Sequence, residues 1–155
     1  MIILGIDPGT ATTGYGLIKK TKRGIKCLNY GCIKTSPEHS PALRLKETEK
    51  QLKKIIKQHR PDLAAVEDIF FFKNLKTAMK VSQAKGVILL TLAKINIPIS
   101  EYTPLQVKMG VCGFGKADKQ QVQRMVQVLL NLKKLPSPDD AADALALAVC
   151  CANSL

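Results

Sequence analysis

Four acids stand where carboxylates could share a cation. Asp7 ends the apolar run Ile2-Ile3-Leu4-Gly5-Ile6, Glu67 ends Leu63-Ala64-Ala65-Val66, and Asp140 and Asp143 lie three residues apart in a late segment with helical character. Clustered carboxylates repel and would otherwise take up protons, whereas a hard cation such as Mg²⁺ or Mn²⁺ removes the repulsion by oxygen ligation. Two such ions, roughly 4 Å apart, can activate a water and stabilise the leaving oxygen in phosphodiester cleavage. Each acid also has a plainer reading: Asp7 as an Asx turn before Pro8-Gly9, Glu67 as a strand-end acid facing water, and Asp140 and Asp143 as decoration of a helix N-terminus. Asp143 argues against the last of these. Asp is a poor helix former, and this one is embedded in Ala141-Ala142-Asp143-Ala144-Leu145-Ala146, where small side chains indicate close packing. Positions 140 and 143 share a helix face, while Asp139 points elsewhere and suits the helix dipole.

Positioning such a cluster requires a particular set of elements. The two apolar runs read as strands buried on both faces; if they are parallel neighbours, their ends lie about 4.8 Å apart at the carboxyl edge, where open α/β sheets bind ligands. Gly14 to Lys20 reads as a second strand, Thr21-Lys22-Arg23-Gly24 as a hairpin loop, and Ile25 to Ile33 as a third strand. Ser40-Pro41 supplies an N-cap and first helical position, with Leu45, Leu52, Ile55 and Ile56 forming an apolar stripe to about His59, before Pro61. Asn74 caps a helix through Lys94; Pro98 to Tyr102 is a short fifth strand; Thr103-Pro104 opens a brief helix. Val111 to Lys116 reads as a glycine-containing loop, Asp118 to Leu132 as a helix, and Ser137 as the N-cap of the last helix. The order is βββαβαβαα, an α/β arrangement with a mixed five-stranded sheet flanked by α-helices.

Composition narrows the function classes. With 155 residues, residues 1–155 are expected to form a single domain. The most apolar stretch, Gly86 to Ala93, is too short for a bilayer, and a cytoplasmic protein is expected. Five cysteines without a C-x-x-C pair, and two histidines far from them, do not outline a zinc or disulfide framework. Lys and Arg outnumber Asp and Glu by 24 to 12, giving net charge +12. With several acids assigned to one pocket, the remaining surface is strongly positive and suits nucleic acid. Anionic membrane is the rival partner, but no helix sets a bulky aromatic face opposite lysines.

Longer motifs sharpen this. Ile3-Leu4-Gly5-Ile6-Asp7-Pro8-Gly9-Thr10 with Gly14-Tyr15-Gly16, Val66-Glu67-Asp68-Ile69-Phe70-Phe71-Phe72-Lys73-Asn74, Gln83-Ala84-Lys85-Gly86, Glu101-Tyr102-Thr103-Pro104 with Gln106-Val107-Lys108, and Asp140-Ala141-Ala142-Asp143-Ala144-Leu145 together resemble the RuvC family of Holliday-junction resolvases, in order and over nearly the whole chain. The resemblance implies an RNase H-like fold, a homodimer with two active sites, Mg²⁺-dependent paired nicking of four-way junction DNA, and the RuvA-RuvB branch-migration complex as partner. It also implies that Asp7, Glu67, Asp140 and Asp143 are the catalytic, metal-holding acids.

Three consecutive phenylalanines, Phe70 to Phe72, cannot all point inward from an extended segment. An exposed one beside the acids could stack on unpaired bases. The resemblance implies that Phe70 wedges into the junction. Lys73, Lys76 and Lys80 fall on one helical face, and Lys108, Lys116 and Lys119 flank the glycine loop; by similarity Lys108 and Lys119 match DNA-contacting lysines of the family. The helix from Arg44 to Arg60 is expected to have a solvated outer face or a weak peripheral DNA contact. Ala11-Thr12-Thr13 reads as a loop lacking a basic side chain found in some relatives, hence a weaker DNA contact there.

Other readings compete. The Asp7-x-Gly-Thr turn also resembles the phosphate loop of sugar kinases and actin-like ATPases, which need a second such domain. The YqgF-type nuclease of RNA processing is a nearer rival, disfavoured by the aromatic run and Glu101-Tyr102-Thr103-Pro104. A catalytically silent junction-binding protein would keep the lysines and use the acids structurally.

Overall fold

The structure, a computed structural model, describes residues 1–68 and 75–155. Five strands, β1 (Ile2–Asp7), β2 (Thr12–Thr21), β3 (Gly24–Lys34), β4 (Leu63–Glu67) and β5 (Ile99–Tyr102), form one sheet in the order β3-β2-β1-β4-β5. β1 runs antiparallel to β2 and parallel to β4, and β4 is parallel to β5, so the sheet is mixed as expected. The helices are α1 (Pro41–His59), α2 (Leu75–Lys94), α3 (Pro104–Cys112), α4 (Lys119–Leu129) and α5 (Asp139–Ser154).

Period-2 alternation divides the strands between two cores. Leu4, Ile6, Leu17, Ala64 and Val66 pack with Leu52 and Ile56 of α1 and Ile88 and Leu92 of α2. On the opposite face Ile3, Ile18 and Ala65 pack with α3, α4 and the buried run of α5. Asp7 is two residues beyond Gly5 and four beyond Ile3, and Glu67 is two beyond Ala65, so both acids fall on the α5 face.

Local chemistry explains most element ends. Ser40 accepts from Leu43 N at 3.3 Å, and Arg60, in the left-handed region before Pro61, closes α1. Thr103 with Gln106 and Asp118 with Gln121 form reciprocal capping boxes on α3 and α4. Several expectations need correction. Three helices follow β5, because the capped α3 runs nine residues and takes in Val111 and Cys112; the loop begins only at Gly113, in the left-handed region. Ser137 does not cap α5: Pro138 occupies the N-cap and no side chain bonds there. Residues 12 and 13 belong to β2, and Thr13 is buried, its hydroxyl donating to Gly9 O at 3.1 Å, so this stretch is structural rather than an open loop. The caps expected from Asn74, and Phe70 and Lys73 of the site, lie outside the described residues.

Candidate active site

Strand register sets the first pair of acids. Gly5 pairs with Ala65 and Ile6 with Val66, so Asp7 and Glu67 end neighbouring parallel strands one step further along, on the same face. They share a hydrogen bond. The second pair arrives on α5, which lies against β1 and β2 at backbone distance. A Cβ on Gly5 would stand 1.9 Å from Ala144 O, one on Gly14 1.9 Å from Asp140 O, and one on Gly16 2.7 Å from Leu145 N. No other residue type allows that approach. The first turn of α5 is thereby laid over the ends of β1 and β2, and Asp140 and Asp143 come to the carboxyl edge.

The electrostatics reflect this proximity. Burial first, then the charges of Glu67 and Asp143, the hydrogen bond to Glu67, and Asp140 push the Asp7 carboxyl from 3.8 up to about 8. Glu67 is also raised, chiefly by burial, with Asp143 adding to it while the Asp7 hydrogen bond, Lys85 and Lys119 oppose. Asp143 is raised by burial against the pull of Lys119. Burial thus weighs against full ionisation of these acids, and a lysine supplies positive charge beside them: Lys119 Nζ lies 3.1 Å from Asp143 and 3.2 Å from Asp139. Burial works to lower Lys119, and the two carboxylates overcome it, holding the ammonium above the ordinary lysine range.

Among the described residues, no three His, Cys, Asp or Glu side chains stand in a closed metal-holding arrangement. The acids are grouped around Asp7 without converging on one point. Their chemistry nonetheless fits a hard divalent cation: all donors are carboxylate oxygens, and their neighbouring charges raise Asp7, a repulsion that a cation would relieve. Asp139 does not point wholly elsewhere as expected: it accepts from Gln123 Nε2 at 3.1 Å and also shares Lys119 with Asp143, four residues on along the same face of α5.

Of the basic residues, Lys108 and Lys119 are brought to the acids: they line, with Glu67 and Asp143, one concavity of about 210 Å³ between α3, α4 and α5. Lys116 is exposed in the loop after Gly113 and does not line it. Lys76 and Lys80 are exposed on α2; Lys80 borders a separate cavity with Thr10 and Arg44. Two basic residues gain roles that sequence reasoning had not given them. Lys85 of α2, with only 15% of its side chain exposed, binds Asp68 at 2.9 Å and also Glu101, joining the residue after Glu67 to β5. Arg44 donates to Thr10 O and Thr35 Oγ1, both at 2.9 Å, fixing the turn after Asp7. Asp68 beside Glu67 was a visible signal for the first contact; nothing local in sequence links Arg44 to Thr10.

The profile of the family described as Crossover junction endodeoxyribonuclease RuvC matches residues 3–151. A crossover junction endodeoxyribonuclease RuvC of Desulforamulus reducens is 54% identical over 150 residues, 97% of this chain and 92% of that one. Another, of Syntrophomonas wolfei, is 53% identical over 150 residues, 97% of this chain and 87% of that one. The solved structure of T. thermophilus RuvC in complex with Holliday junction substrate matches with a TM-score of 0.91 at 34% identity, covering 97% of this chain and 92% of that one. The mixed sheet with helices on both faces is thus an RNase H-like α/β fold.

Proposed function

Since the chain belongs to the RuvC family of crossover junction endodeoxyribonucleases, we propose that its acids resolve Holliday junctions, in DNA recombination and repair, by paired symmetric nicks that leave 5′-phosphate and 3′-hydroxyl ends. The observation that carries this reading is that strand register ends Asp7 and Glu67 side by side and α5, seated on Gly5, Gly14 and Gly16, brings Asp140 and Asp143 to the same edge of the sheet. Asp7, Glu67, Asp140 and Asp143 would hold Mg²⁺, two ions per site, with Mn²⁺ able to replace it. Bound there, the cations supply an activated water and neutralise charge on the scissile phosphate and the leaving 3′-oxygen.

The chain's own residues do the remaining work. Asp7 and Glu67, fixed by strand register, set the floor of the site, and α5 brings the two aspartates across it. Lys108 and Lys119 border the same concavity and place the phosphate backbone, contacts that give affinity without sequence information. Phe70 wedges into the crossover, and Lys73, Lys76 and Lys116 contribute further DNA contacts.

Paired cuts need two sites, hence a homodimer. Its face is the outer side of α2: Val81, Ala84, Ile88 and Leu92 are taken by the core, while Met79 and Leu90 are 67% and 54% exposed and a Cβ on Gly86 would meet open space. Residues 1–155 act as one nuclease domain, working in the cytoplasm with the RuvA-RuvB branch-migration complex. Among the described residues, no helix is long and apolar enough to cross a membrane.

The test is incubation of the purified protein with a synthetic four-way junction, matched duplex and RNA-DNA hybrid, with and without Mg²⁺. Paired nicks confined to the junction and dependent on the cation are expected. Binding without cutting, in Mg²⁺ or Mn²⁺ and at several core sequences, would leave a silent junction-binding protein; cutting of the hybrid would make it an RNA-processing nuclease.

A further inference from the structure

The acids lie on the α5 face of the sheet, and a second cluster of positive charge lies on the other. Four lysines of α1, Lys50, Lys53, Lys54 and Lys57, line a concavity of about 680 Å³ between the β3 edge and α1, which the end of β3 at Lys34 closes. Of these, Lys53 is paired with Glu49 at 2.6 Å; the other three have no ion pair among the described residues. Among the described residues Glu47 is the only carboxylate lining the groove, and its Oε1 is engaged by His39 Nδ1 at 2.7 Å. Acids that could offset the charge are committed elsewhere: Asp68 and Glu101 to Lys85, Asp139 and Asp143 to Lys119.

The groove has length and direction. Lys50, Lys54 and Lys57 follow an i, i+4, i+7 stripe, which rises about 10 Å along the helix. That is close to three successive nucleotides of one duplex strand, at about 3.4 Å each along the axis. Its upper end is at the catalytic edge. Lys34 pairs with Thr12 where β2 leaves the turn after Asp7, Gln51 Nε2 donates to Lys34 O at 2.9 Å, and Arg44 ties the first turns of α1 to Thr10 O. From there α1 descends to the opposite edge, where Asp62, just beyond it, accepts from Ile2 N at 2.6 Å. A duplex passing over the Pro8–Thr10 turn from the cutting site meets this stripe next.

We propose that the groove between β3 and α1, through Lys50, Lys54 and Lys57, binds the phosphate backbone of a duplex arm of the junction, on the face of the sheet opposite the cutting site. The contact is electrostatic, independent of base sequence, and extends the footprint away from the crossover. The inference rests on the junction-nuclease reading.

Salt dependence of binding tests it. Affinity for a long-armed four-way junction is measured by anisotropy over a range of salt, without divalent cation, for the wild type, K50Q/K54Q, and the charge-matched K133Q/K134Q, whose lysines follow α4 in the opposite layer. Neutralising two phosphate contacts makes the plot of log affinity against log salt shallower by about 2. K50Q/K54Q is expected to show this and to lose hydroxyl-radical protection along one arm while keeping it at the crossover; K133Q/K134Q should keep the wild-type slope. Equal slopes for K50Q/K54Q and wild type, or an equal change in both variants, overturn the groove. A wild type that cuts the junction while the slopes agree removes the groove alone; a wild type that neither binds nor cuts removes the junction reading with it.

Discussion

Lys119 Nζ stands 3.1 Å from an oxygen of Asp143, so a residue expected to touch DNA is occupied by one of the four acids. It acts there as a resident positive charge beside the acids. Replacing it with methionine leaves Asp143 without this partner and makes the site more negative. Lys119→Met should therefore bind Mg²⁺ several-fold more tightly by calorimetry while nicking the junction at least about tenfold more slowly, a barrier increase of about 1.4 kcal/mol. Weaker Mg²⁺ binding would mean that the lysine supports the acids rather than competing with the cation.

The bridge from Lys85 to Asp68 and Glu101 places a positioning group directly behind Glu67. Lys85→Met releases both acids and the end of β4. Cutting at saturating junction should fall about tenfold, with junction affinity changed less than twofold, and Lys85→Arg should restore most of it. A loss confined to affinity would assign Lys85 to DNA contact instead.

Asp7 makes stability depend on pH in a defined direction. Its carboxyl titrates at 3.8 when unfolded and at about 8 in the folded protein, because burial and the neighbouring acids disfavour its charge. The folded state thus holds a proton that the unfolded chain has lost, and its contribution is full below about pH 4 and vanishes as pH rises through 8. Without divalent cation, the melting temperature should fall between pH 5 and pH 8. Mg²⁺ should reverse most of that fall, and Asp7→Asn should flatten it while abolishing cutting and keeping junction binding. A fall of equal size in Asp7→Asn would place the titrating group elsewhere.

Phe70 is expected to pry open base pairs at the crossover by stacking. Phe70→Ala should cut an intact junction slowly and recover on a junction whose crossover is already unpaired. Without that recovery, the wedge assignment of Phe70 falls.

What could be read beforehand follows physical range. Asp7 and Glu67 were legible because an apolar run that stops at a charge marks both a strand and its edge. Ser40, Thr103 and Asp118 were legible because capping is decided within three residues. Ser137 misled for the same reason: a good capping residue stands one position too early, and the packing of α5 sets the start of the helix instead. Val111 and Cys112 misled because nearby glycines suggested a loop, whereas only Gly113 takes the left-handed turn that ends α3. Lys85 and Arg44 needed the tertiary fold, since their partners lie on other elements far along the chain. Lys116 shares its loop with the approach to Lys119, but sits one turn too early to reach the acids.

The three glycines beneath α5 have a wider consequence. At Gly5, Gly14 and Gly16 the specification is an omission: what holds Asp140 and Asp143 above Asp7 is room left empty for a helix backbone. An alanine scan, which reports what is lost when atoms are deleted, would register these positions only by what it adds. One methyl group at Gly14 has to displace the very turn that carries Asp140. The part of this chain least able to do chemistry is therefore among the least free to vary, and a catalogue of its reactive side chains would miss what makes them a site.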